Sequence, residues 1–102
     1  MCISIDTVHV SRKDEKTLVE LLEKLHNQNT PGYSTSADCC GLISTKHQDR
    51  IKGILQEAKD GGAKIVQLEK DATGKGRQMP LSVIIDPKPD SKAATEEIFG
   101  PL

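Results

Sequence analysis

The stretch TKHQDRIKGILQEAKDGGAKIVQL, residues 45–68, decides how the chain is read. Thr45 followed three residues later by Gln48 is a helix-opening pattern, in which each side chain satisfies a free backbone N–H. Ile51, Ile54, Leu55 and Ala58 then fall on one face of a helix. Gly61-Gly62 stops it, because glycine accepts the left-handed backbone that closes a helix C-terminus. Ile65, Val66 and Leu68 follow as a short apolar, β-branched strand. A helix passing into a strand through a tight stop points to an α/β layer arrangement.

Downstream, the segment from Asp71 to Gln78 has two glycines and three charges and reads as a loop. Leu81 to Ile85 is a second strand. Asp86-Pro87-Lys88-Pro89-Asp90 closes it, since proline cannot continue a hydrogen-bond ladder. Upstream, residues 33–43 form a polar loop ending in Leu42 and Ile43, after the turn Asn29-Thr30-Pro31-Gly32. Leu18, Leu21, Leu22 and Leu25 mark one face of an earlier helix. That helix is expected to open at Ser11 with Asp14, another capping pattern, and to run to about His26. Ile3 to Val10, rich in β-branched residues, reads as a strand. The expected order is strand, helix, helix, strand, strand, tail. So few strands leave a sheet edge open, and an open edge is a template for pairing with another chain.

At 102 residues there is room for a single domain at most. Aromatic residues make up 2% of the chain and tryptophan is absent, which makes for a thin core. The sequence therefore reads as one piece of a larger structure. A formal charge of −1 and a pI near 6.3 give no basic footprint for nucleic acid. No stretch is long and apolar enough to span a membrane. MCISIDTVHV lacks the basic and apolar regions of a signal peptide. Three cysteines, two of them adjacent, do not form a disulfide framework and point to a reducing compartment, the cytoplasm.

Glu96-Glu97-Ile98-Phe99-Gly100-Pro101 resembles the Glu-Glu-Ile-Phe-Gly-Pro signature of the aldehyde dehydrogenase family. The text before it is similar as well: His47-Gln48-Asp49-Arg50-Ile51, Ala58-Lys59 to Gly62-Ala63-Lys64, Gly76-Arg77-Gln78-Met79-Pro80, and Asp90-Ser91. Its details are most similar to the branch that includes coniferyl aldehyde dehydrogenase. Cys2-Ile3-Ser4-Ile5-Asp6 resembles the stretch that begins at the family's catalytic cysteine. The resemblance covers essentially the whole chain but a minority of a typical member. It implies a partial three-layer catalytic domain over residues 1–102, without the cofactor-binding domain.

Cys2 is the candidate nucleophile. A thiolate attacks an aldehyde carbonyl readily and can leave again from a thioester. Taken without the family, Cys2 is an ordinary terminal thiol. Glu97 is the candidate cofactor contact, because a carboxylate accepts hydrogen bonds from two ribose hydroxyls. The resemblance places Phe99 near the nicotinamide-ribose end. Their plainer readings are a solvated charge for Glu97 and a core anchor for Phe99. Cys39 and Cys40 do not match a zinc site, which takes four ligands, and His47 does not complete one. They read as free loop thiols, and no metal is expected. Gly74-Lys75-Gly76 lacks the spacing of a phosphate loop. His9 reads as a strand-face residue and His26 as a helix-end residue.

The resemblance implies an oxidoreductase that converts an aldehyde to an acid with NAD or NADP. The second reading is a non-catalytic remnant that self-associates through its open sheet edge, and a homo-oligomer is expected. A chance match by an unrelated α/β binding module is the third. The general base, the side-chain oxyanion donor and the cofactor domain all lie upstream in the family. Loss of one oxyanion donor alone costs on the order of 10²–10³ in rate. The purified 102-residue chain is therefore expected neither to bind NAD measurably nor to reduce it with an aldehyde. Aldehyde-dependent NADH absorbance above the protein-free blank would overturn that.

Overall fold

The computed structural model describes residues 4–70 and 72–102. Three helices, α1 (Glu15–Asn29), α2 (Thr45–Asp60) and α3 (Lys92–Thr95), accompany two strands, β1 (Lys64–Gln67) and β2 (Ser82–Ile85). A 3₁₀ turn covers Tyr33–Thr35.

The central helix α2 opens one residue earlier than its capping pattern suggests. Ser44, not Thr45, is the N-cap, and its Oγ accepts the His47 N–H at 3.1 Å. Gln48 is thereby freed from capping. Its Nε2 donates to the carbonyls of Gly76 (3.1 Å) and Gln78 (3.4 Å) and ties α2 to the loop before β2. At the other end, Gly62 has φ 97°. The Gly62 N–H bonds the Lys59 carbonyl at 3.0 Å, and the Ala63 N–H bonds that of Ala58 at 2.9 Å. This pair of bonds satisfies two of the helix's last carbonyls and turns the chain sharply into β1.

β1 and β2 pair antiparallel, with Lys64 opposite Ile85 and Gln67 opposite Ser82. Two strands alone are marginal in water and need a packed face. That face meets α2, which also packs against α3. Ile51, Ile54 and Ile98 form the buried centre, with Leu42, Met79, Ile84, Ala93 and Leu102 around it. Leu55, expected on the same face, is half-buried at its margin.

The expected strand at Ile3 to Val10 is not found. Residues 4–10 form no regular element, and Ile3 lies outside the described residues. Ile5, Val8 and Val10 are exposed. A β-branched run becomes a strand only beside a strand that it can bond, and residues 4–10 pair with neither β1 nor β2. His9 accordingly stands on an exposed irregular segment rather than on a strand face. The observed order is helix, helix, strand, strand, helix. The short α3 lies in what the sequence presented as a tail, and β1 has no strand on its other side among the described residues.

The first helix forms but is only partly covered. It runs to Asn29, three residues past the expected end. The Ser11 hydroxyl bonds the Asp14 carboxylate, so neither side chain caps a backbone N–H. Leu18 and Leu22 are half-buried, while Leu21 and Leu25 stay about half exposed (49% and 52%). Polar contacts hold α1 to the rest: Asn27 Nδ2 donates to the Leu68 carbonyl at 2.8 Å, and Lys70 pairs with Glu23 at 3.1 Å.

Ile51 is fully buried. Ile51→Ala is expected to cost about 2–5 kcal/mol, from lost transfer energy and the cavity left behind. A urea titration followed by far-UV circular dichroism checks this through a lowered midpoint at unchanged slope.

Candidate active-site segment

The Glu96–Pro101 signature is irregular backbone, extended at Glu96 and left-handed at Phe99, whose side chains split between core and solvent. Ile98 points inward and is 5% exposed, whereas Phe99 is 53% exposed and Glu97 is exposed. Gly100 sits over Ile51: a Cβ there would lie 2.8 Å from Ile51 Cδ1. Any side chain there would push the buried Ile51 side chain aside. Beyond it, the Pro101 carbonyl accepts the Ser82 N–H at 3.0 Å, which lays the end of the signature beside β2.

Two side chains of α2 clamp this backbone. Arg50 Nη2 donates to the carbonyls of Glu97 (2.8 Å) and Ile98 (2.7 Å). Arg50 Nη1 stands 3.8 Å from the Glu96 carboxylate, an ion pair too long for a hydrogen bond. One turn back along the helix, His47 Nε2 lies 2.9 Å from the Phe99 carbonyl and donates to it in the Nε2–H tautomer. The His47 and Phe99 rings meet edge to face at 6.5 Å and 79°. Phe99 itself has φ 53°, a left-handed conformation that a bulky residue rarely adopts. Such strain persists only where surrounding contacts over-determine the backbone. The bonds to its carbonyl and to its neighbours' carbonyls supply those contacts.

This arrangement leaves both the Glu97 carboxylate and the Phe99 ring exposed to solvent. Glu97 joins no ion pair among the described residues, so its oxygens are free to accept hydrogen bonds. The anchor role that was the plainer reading of Phe99 belongs instead to its neighbour Ile98. Cys2, the candidate nucleophile, lies outside the described residues, so its position relative to the signature is not defined. Arg50 and His47 were visible in the sequence only as part of a family-like helix. Their spacing put both near one helix face, but nothing local showed that this face meets the signature.

A cavity of about 640 Å³ opens beside Phe99. His26, Tyr33, Cys39, Cys40 and His47 line it as well. Cys39 and Cys40 are free thiols, as expected of a loop pair. Burial pushes the Cys39 thiol pKa up, against an opposing hydrogen bond from Tyr33. Burial also raises the Tyr33 phenol pKa, helped by the nearby Cys39 and Cys40 sulfurs. No group of three or more His, Cys, Asp or Glu side chains that could hold a metal ion occurs among the described residues. Gly76 belongs to a turn closed by the Gln78 N–H on the Lys75 carbonyl, and its own carbonyl is taken by Gln48; Gly74 precedes that turn. No described helix is long and apolar enough to cross a membrane.

The described geometry is thus an irregular segment braced by a helix, with an exposed carboxylate and an exposed aromatic ring two residues apart. Comparison with known proteins gives the class directly: the whole chain, residues 1–102, matches the aldehyde dehydrogenase family and belongs to it. It is 27% identical, over its full length, to a probable coniferyl aldehyde dehydrogenase of Caulobacter vibrioides, of which it covers 22%. Another probable coniferyl aldehyde dehydrogenase, from Pseudomonas aeruginosa, is 30% identical over 99% of the chain and 21% of the relative. A salicylaldehyde dehydrogenase of Pseudomonas putida is 27% identical over the full chain and 21% of the relative. The chain thus spans about a fifth of the length of these relatives. No solved structure matches it.

Arg50→Met keeps the apolar stem and removes both carbonyl bonds. It is expected to cost about 1.5–3 kcal/mol, the range for hydrogen bonds involving a charged group. Amide hydrogen exchange at Ile98 and Phe99 should quicken while α2 stays protected. Unchanged exchange there would show that the guanidinium does not hold the signature.

Proposed function

We propose that residues 1–102 are one partial catalytic domain of an NAD(P)-dependent aldehyde dehydrogenase, carrying its nucleophile and its cofactor-ribose motif. The observation that carries this reading is the outward presentation of Glu97 and Phe99 from a backbone clamped by Arg50 and His47. Aldehyde oxidation by the named relatives supports it.

The Cys2 thiolate attacks the aldehyde carbonyl and forms a thiohemiacetal. A nicotinamide cofactor, held at Glu97 and Phe99, would supply the hydride acceptor that takes this adduct to the thioester oxidation level. Water then releases the carboxylic acid and returns the thiolate. The backbone N–H of Cys2 is one donor to the oxyanion, and the second donor and the general base come from polypeptide outside this segment. Glu97 suits the cofactor's ribose, since its exposed carboxylate offers acceptors to two hydroxyls. Phe99 backs the same end of the cofactor. Holding Glu97 on a fixed backbone orients the reacting carbon, and small misplacements cost catalysis heavily.

The cofactor-binding domain lies outside residues 1–102, so the segment alone is inactive. In the whole enzyme the rest of the three-layer catalytic domain covers the half-exposed face of α1 and the free edge of β1, and subunits associate as a homo-oligomer. The cytoplasm is the proposed location, because three cysteines without a disulfide framework suit a reducing compartment.

Grafting residues 1–102 in place of the corresponding segment of a full-length relative tests the reading. The graft should oxidise an aromatic aldehyde. Cys2→Ala should lower kcat by at least about a thousandfold, as loss of a nucleophile does. Glu97→Ala should lower kcat by about a hundredfold through misorientation. A folded graft whose activity survives Cys2→Ala would refute the assignment of the nucleophile.

A further inference from the structure

We propose that Cys39 and Cys40 together form a dithiol site that captures a trivalent arsenical, on the wall of the cavity that Phe99 also lines. Both thiols are free and both line that cavity. Cys39 is 9% exposed and Cys40 is exposed, so the pair reaches from the protein interior to solvent. The loop that carries them is held in place. The Ser36 N–H bonds the Tyr33 carbonyl at 3.0 Å, and the Cys39 N–H bonds that of Ser36 at 3.2 Å. Gln78 Nε2 donates to the carbonyls of Ser36 (2.7 Å) and Cys39 (2.8 Å).

Geometry and softness choose the ligand. The peptide bond between the two cysteines is trans. It sets their Cα atoms about 3.8 Å apart, below the roughly 4.4–6.8 Å of ordinary disulfides. A direct S–S bond would be strained and easily reduced. One large atom inserted between the sulfurs relieves that strain. Thiolates select soft centres. Zinc requires about four ligands, and no third His, Cys, Asp or Glu completes a set among the described residues. Trivalent arsenic needs only the two sulfurs, because it brings its own third substituent.

The reaction is a condensation. Two As–S bonds form, two S–H bonds and the As=O bond break, and the protons leave with the oxygen as one water. Arsenic stays trivalent and nothing is oxidised or reduced. The second thiol reacts intramolecularly, at a high effective concentration that a free monothiol cannot match.

Tyr33 gives a built-in signal, because it is the single tyrosine and the chain has no tryptophan. The intact chain is titrated with phenylarsine oxide in excess glutathione, followed by Tyr33 fluorescence and intact mass. The expected result is one arsenical per chain, with tyrosine emission changed, retained against glutathione and removed by 2,3-dimercaptopropanol. Cys2→Ser should bind as the parent does. Cys40→Ser, at an exposed position, and Cys39→Ser should each weaken binding by at least about a hundredfold, as loss of chelation does. Release by glutathione, undiminished binding in Cys40→Ser, or loss of binding in Cys2→Ser would each overturn the proposal. Circular dichroism of each variant separates loss of the site from loss of the fold.

Discussion

Everything that can act in this segment depends on Ile98 entering the buried face of α2 beside Ile51. That contact is the place where an irregular signature segment and a helix, separated by almost 50 residues, become one unit. Gly100 lets the backbone descend onto Ile51, where a methyl group would collide with it. With Ile98 seated, Glu97 before it is exposed, and the left-handed backbone at Phe99 leaves that ring 53% exposed.

The polar contacts refine what the apolar contact sets. Arg50 is partly buried, and each of its bonds goes to a carbonyl that would otherwise lack a partner on that side. A carbonyl does not depend on side-chain identity, so Arg50 fixes the position of the backbone rather than recognising a residue. His47 does the same for Phe99 and adds ring contact. The left-handed Phe99 is the local cost of this clamp, on the order of 1–3 kcal/mol, set against burial and hydrogen bonding around it. Conformational strain beside an exposed carboxylate is a common feature of sites that must hold a ligand in one orientation.

The periphery behaves differently. α1 has the apolar stripe of a packed helix, yet Leu21 and Leu25 remain half exposed. The apolar run at residues 4–10 finds no strand to pair with. These unfinished surfaces agree with a chain that spans about a fifth of its relatives. A core built around three isoleucines suffices to define α2, the hairpin-like sheet and the signature, but it does not reach α1's outer face.

The elements whose periodicity is local were legible from the residues alone. The face Ile51, Ile54 and Ala58 was readable because a helix repeats every 3.6 residues whatever surrounds it, and Gly61-Gly62 marked its end for conformational reasons. The two strands and the family signature were legible in the same way. The start of α2 was misread by one residue because Ser44 and Thr45 cap equally well, and only the contact of Gln48 with the Gly76 loop separates them. The strand expected at Ile3 to Val10 failed because strand formation depends on a partner that local composition does not supply. The sequence by itself determined the family, the central helix and the candidate residues Cys2, Glu97 and Phe99. The tertiary structure alone decided which way Glu97 and Phe99 face and that Arg50 and His47 hold them, because those relations join residues about 50 apart through contacts that leave no periodic trace in the chain.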